Sequence, residues 1–156
     1  MGPAALIHLV RRFLGSLRPG GPSPADEAWV RTVLVPGEVA LWERMSGVDR
    51  RHAVGVARQV PLELAPAALL HDVGKVVSGF GTFARVGATL LGFLGRDRWG
   101  GRIGQYLHHP DLGSRLLAEA GSDELTVAWA REHHLPAGRW TVPREAGALL
   151  KAADDD

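Results

Sequence analysis

The apolar residues of this chain recur at intervals of three and four. They fall in segments cut short by proline and glycine, and nowhere alternate in twos between hairpin signals. That pattern predicts an all-α fold, a compact bundle of about seven or eight helices without internal repeats. The first segment covers residues 4–18, where Leu6, Leu9, Val10, Phe13, Leu14 and Leu17 form a stripe and Arg11, Arg12 and Arg18 lie off it. Such an amphipathic helix packs on the domain or a partner, or lies on an anionic membrane surface. The Pro- and Gly-rich run 19–24 then reads as a linker. Residues 1–22 are accordingly taken as an N-terminal helix with its linker, and 23–156 as the helical domain.

Helix starts and stops can be placed along the domain. Ser23, Pro24, Asp26 and Glu27 have the order of an N-cap, an early proline and an acidic first turn. Helices are expected from there to about Pro36-Gly37, over 38–45 with Val39 and Trp42 inward, and over 49–60. After Pro61 and Pro66, a further helix is expected over 67–77. Residues 78–101 are glycine-rich, with an apolar segment at 83–94, and a helical turn is expected at 103–107. Another helix opens at His109-Pro110 and ends at Gly121. One capped by Ser122-Asp123-Glu124 finishes at His133-His134. The last starts at Pro143, with Ala146, Leu149, Leu150 and Ala153 as its apolar positions.

Composition limits the chemistry. With 46% hydrophobic and 22% charged residues, 156 residues can build one globular core. The net charge of +1 offers no general attraction for a nucleic-acid polymer. No apolar run reaches the roughly 18–20 residues of a transmembrane segment. The N-terminal apolar residues precede Arg11-Arg12, the reverse of signal-peptide order. Cysteine is absent, which removes disulfides and thiolate metal ligands and agrees with a cytoplasmic location. A metal would have to be held by histidine and carboxylate.

Five places carry such groups: His52, His71-Asp72, His108-His109, His133-His134 and Asp154. His71-Asp72 ends the apolar run Ala67-Ala68-Leu69-Leu70. Two adjacent ionisable groups there are costly to bury without compensation, and a divalent ion would supply it. An exposed pair on a helix surface is the simpler alternative for that dipeptide alone. Asp154 lies four residues after Leu150 and eight after Ala146, which puts it on the inner face of the last helix. A carboxylate at a helix C-terminus is disfavoured by about 0.3–1 kcal/mol, so an inward one calls for a cation; a frayed acidic end is the alternative. His109 precedes Pro110 and would project from the helix start, with His108 as the competing ligand. His133 and His134 point about 100° apart if helical and would serve two metals, or one metal and a substrate. Lys75, three residues beyond Asp72, would lie on nearly the same face and reach a substrate phosphate, or would be a solvated lysine.

The order His, His-Asp, Asp resembles the signature of the HD superfamily of metal-dependent phosphohydrolases, here as His52, His71-Asp72 and Asp154. Leu69-Leu70-His71-Asp72-Val73-Gly74-Lys75 is similar to that family's core motif. His109-Pro110-Asp111-Leu112-Gly113 and Glu132-His133-His134 resemble two segments of its HD-GYP branch. The resemblance implies an HD-type bundle in which His52, His71, Asp72 and Asp154 hold one divalent ion. His109, His133 and His134 would then complete a second site around a bridging Asp72. Mn, Fe, Co and Zn all suit such ligands. It also implies hydrolysis of a small phosphomonoester or phosphodiester, nucleotide-like in kind, by a metal-activated hydroxide with Asp72 and Lys75 as catalytic groups. The branch's Gly-Tyr-Pro motif is replaced here by Leu135-Pro136-Ala137-Gly138-Arg139-Trp140, so recognition of cyclic dinucleotides does not carry over. The alternative expectation is a non-catalytic HD-type signalling module, working through a homodimer or peripheral contact made by the N-terminal helix.

Overall fold

A computed structural model describes residues 20–77 and 109–155. The helix expected over 4–18 with His8, the stretch 78–101, the turn at 103–107, His108 and Asp156 lie outside the described residues. Within them the chain forms seven α-helices and three short 310 segments, with no strand. The all-α reading therefore holds.

Four of the described helices begin where side-chain chemistry closes the first turn. In α1 (Pro24–Val33), the Ser23 hydroxyl accepts the Asp26 N–H at 3.1 Å. The next helix, α2 (Pro36–Arg44), opens two residues earlier than the expected start at 38. Pro36 supplies the preset φ of a first helical residue, and the buried Glu38 carboxylate accepts the Val35 N–H at 3.0 Å. Ser46 caps α3 (Gly47–Ala57) in the same way as Ser23 caps α1. A 310 turn at Leu62–Leu64 leads into α4 (Ala65–Leu70), so Pro66 sits in that helix's first turn rather than before it.

The helix expected over 67–77 is interrupted. Its α-helical part stops at Leu70, His71-Asp72 lie in a turn, and Val73–Val77 tighten into a 310 segment. The packing of Gly74 accounts for this departure. A Cβ there would stand 1.9 Å from the His109 carbonyl oxygen and 2.7 Å from the Gly113 nitrogen. The backbone is thereby pressed directly onto α5 (His109–Ala120), at a distance no side chain allows. Helix α5 ends in a Schellman arrangement. Gly121 takes φ +82°, Ser122 N–H donates to Leu117 C=O at 3.0 Å, and Gly121 N–H donates to Ala118 C=O at 3.3 Å. Asp123 caps α6 (Glu124–Glu132), and α7 (Arg144–Asp155) completes the described chain.

The six residues of α4 are too few to be helical alone. Burial holds them: Ala65, Ala67, Ala68, Leu69 and Leu70 are all in the core, between α3, α6 and α7. Leu69 and Leu70 each contribute roughly 1.5–3 kcal/mol by full burial. Trp42, Leu117, Trp129 and Leu150 fill the surrounding space. One expected core position fails, since Leu149 is 42% exposed; the inner face of α7 is Gly147, Leu150, Ala153 and Asp154. Among the described residues no helix is long and apolar enough to cross a membrane.

Candidate metal centre

The central helix α4 ends at His71-Asp72, and the ends of four other elements meet it there. His52 comes from α3, His109 from the first turn of α5, His133 and His134 from the turn after α6, and Asp154 from the last turn of α7. His71, Asp72, His109, His133 and Asp154 are all buried, which excludes the exposed pair as the state of His71-Asp72 and the frayed end as that of Asp154. Asp155 is exposed and pairs with Lys151 at 2.7 Å.

Donor atoms gather in two groups, in each of which they lie within 4.8 Å of one another. One group is His52, His71 and Asp154. The other is Asp72, His109, His133 and His134. Asp154 Oδ1 is 3.0 Å from His52 Nε2 and 3.5 Å from His71 Nε2. Asp72 lies between the groups. Its Oδ2 is 3.5 Å from His71 Nε2, while its Oδ1 is 3.2 Å from His109 Nε2 and 3.6 Å from His133 Nε2. The paired histidines do not diverge as helical neighbours would. They occupy a turn, their ring centroids are 4.0 Å apart, and both belong to the Asp72 group. Lys75 is only 13% exposed and its amine pairs with Asp72 Oδ2, which sets aside the solvated lysine.

Backbone carbonyls orient two of these rings. His71 Nδ1 donates to Ala68 C=O at 2.8 Å, and His133 Nδ1 donates to Ala130 C=O at 3.0 Å. Each bond leaves Nε2 facing the cluster, the usual way a ligand ring is fixed. His71 Nε2, His133 Nε2 and Asp72 Oδ1 are buried there without a hydrogen bond. Three orphaned polar atoms at one spot are costly in an interior where nearly all such groups are satisfied. Their donor types, imidazole nitrogen and carboxylate oxygen, fit a divalent ion of the Mn, Fe, Co or Zn kind.

Charge within the cluster is arranged accordingly. Burial opposes ionisation of Asp72, but Lys75 and His71 outweigh it, with help from His109 and His133, and hold the carboxyl well below its usual range. Burial likewise opposes the cationic form of His71, yet the Asp72 and Asp154 carboxylates prevail and raise its pKa. His133 moves the other way, because burial dominates. His134 is exposed as a residue, but its ring is crowded against His133 and His109; loss of solvent around the ring and the charge of His133 lower its pKa.

A ligating histidine must first lose its proton. Burial and crowding favour the neutral rings of His133 and His134, whereas the neighbouring carboxylates let His71 keep its proton to higher pH than an ordinary imidazole. Zinc affinity of the His52–His71–Asp154 group is therefore expected to rise with pH through the raised His71 pKa and to fall below it. Calorimetric titrations from about pH 5 to about pH 8 check this, and an affinity at that group that does not change with pH would contradict it.

Residues outside the ligand set support it. Glu132 is 1% exposed at the end of α6. Its Oε1 accepts the Thr141 hydroxyl at 2.6 Å, and its Oε2 accepts the Thr141 and Val142 N–H groups at 2.6 and 3.4 Å. Burial would raise its pKa, but these donors lower it overall. Trp140 donates from Nε1 to Leu135 C=O at 2.9 Å and packs edge-on against Trp129. Gly147 admits the Trp140 ring against α7, where a Cβ would be 2.6 Å from Cε3. Glu132 could have been singled out from sequence, since it continues the stripe Leu125, Ala128, Trp129 at helical spacing. No pattern announces Gly147 or Trp140. No family model, curated protein or solved structure matches this chain.

Proposed function

We propose that this protein is an HD-type, metal-dependent phosphohydrolase acting on a small phosphomonoester or phosphodiester of nucleotide-like kind. The observation carrying this reading is the convergence of two His/Asp groups around Asp72, with His71 Nε2, His133 Nε2 and Asp72 Oδ1 buried there without a hydrogen bond. In this reading His52, His71 and Asp154 hold one divalent ion, and Asp72, His109, His133 and His134 hold a second. Asp72 can serve both, because its two oxygens face opposite groups. The ions would supply Lewis acidity and a water acidified toward neutral pH.

The chain's own residues do the rest. Ala68 and Ala130 carbonyls fix the ring orientations of His71 and His133. The buried surround raises the strength of every charge interaction in the site. Lys75, held by Asp72, supplies a cation beside the cluster that attracts a phosphate oxygen. The absence of cysteine suits such a site to the reducing cytoplasm.

Metal analysis of protein purified without added metal tests the reading, together with manganese-dependent hydrolysis of p-nitrophenyl phosphate and bis-p-nitrophenyl phosphate. Bound metal and manganese-stimulated turnover are expected. His71→Ala should lose both, whereas His8→Ala should change neither. Protein with no metal and no turnover would sink the proposal.

A further inference from the structure

We propose that Glu132 is a positioning residue for the Asp72–His109–His133–His134 group, an inference that rests on the metal-centre reading above. Two of the three histidines of this group, His133 and His134, begin a ten-residue excursion, from His133 to Val142, between α6 and α7. Their side chains are anchored unequally. His133 is fully buried, and its Nδ1 is tied to Ala130 C=O. His134 is exposed as a residue and has no such backbone anchor, so the path of its backbone brings its ring against His133 and His109.

That path is closed by one carboxylate. Glu132 immediately precedes His133, and it reaches across the base of the excursion to the Thr141 hydroxyl and the Thr141 and Val142 N–H groups. The excursion is therefore a loop whose two ends are joined through Glu132, with Leu135 N–H donating to Glu132 C=O at 2.7 Å as its first turn. Trp140 Nε1 bonding to Leu135 C=O folds the loop inward. Glu132 is not one of the grouped donors, and its effect passes through the backbone to His133 and His134. The His52–His71–Asp154 group is held differently. Asp154 lies on α7, which touches the excursion at Trp140 but is also packed through Leu150 and Ala153 against α3 and α4. Opening the clasp should loosen one group of ligands and spare the other.

Metal stoichiometry distinguishes this role from a general contribution to stability. Zinc titrations followed by calorimetry, with bound metal counted after dialysis, should find two ions per chain in the wild type. Glu132→Ala should weaken the Asp72-group site by about ten- to hundredfold, the usual effect of losing an outer support, and retain one ion. Glu132→Gln should restore two, because an amide of the same length still accepts from the Thr141 and Val142 N–H groups and can donate to the Thr141 hydroxyl. If Glu132→Ala fails to fold, Thr141→Val serves instead, removing one donor without changing shape; the same site should weaken. A variant of lowered Tm that still binds both ions with wild-type affinity would overturn the inference. Wild-type protein that binds no ion would instead overturn the metal-centre reading itself, and the inference with it.

Discussion

Replacing Asp72 with alanine should abolish the metal-dependent phosphoesterase activity proposed above, with a loss of at least about a thousandfold. Removing a charge interaction worth several kcal/mol in the transition state has that effect on rate. Asp72 is the carboxylate that both donor groups approach, with His71 on one oxygen and His109 and His133 on the other. Its loss also removes the charge that holds the Lys75 amine. Asp72→Asn separates charge from shape, since the amide fills the same space without the negative charge. It should bind metal far more weakly than wild type and be nearly as inactive as Asp72→Ala. Steady-state rates at saturating manganese, beside metal content, measure both variants. An Asn variant with wild-type turnover would show that the charge of Asp72 is not needed.

Gly74→Ala should be the most disruptive single methyl addition in the described fold. The new Cβ would lie 1.9 Å from the His109 carbonyl oxygen and 2.7 Å from the Gly113 nitrogen, both backbone atoms that cannot swing aside. The 310 segment and α5 must then separate, and α5 carries His109 in its first turn. Overpacking of this kind costs about 3 kcal/mol, so a lowered urea midpoint and loss of the His109-dependent metal site are expected together. Gly138→Ala is the matched control. Its Cβ meets nothing within 4 Å, and its φ is not positive, so both quantities should stay at wild-type values. Equal midpoints for the two variants would refute the close-contact account.

How far such features could be read in advance depended on whether one periodicity carried them. Asp154 was legible because it continued the apolar stripe of α7, and the structure buries it against His52 and His71. Ser23 and Asp123 announced their helices because capping is local chemistry. The break after Leu70 was not legible, since it is imposed by α5, which lies more than thirty positions later and presses on Gly74. The family resemblance put His133 and His134 in one site, whereas helical geometry alone would have parted them; the reason is related. Helical geometry parts neighbouring side chains, but these two occupy a turn whose shape is set by contacts at Trp140 and Thr141. Local rules placed the ligands on their elements, and long-range packing decided which ligands meet.

His52 and Asp154 meet at 3.0 Å although 102 positions separate them. Closing so long a stretch of chain costs entropy that must be met before the contact contributes anything, so pairings of this kind form late. The His52–His71–Asp154 group is complete only when the final helix has docked, so an ion held there would enter after that step. An interaction absent from the folding transition state slows escape from the native state while leaving its formation rate unchanged. An ion held between the middle and the end of this chain would therefore prolong the life of the folded protein without hastening its birth.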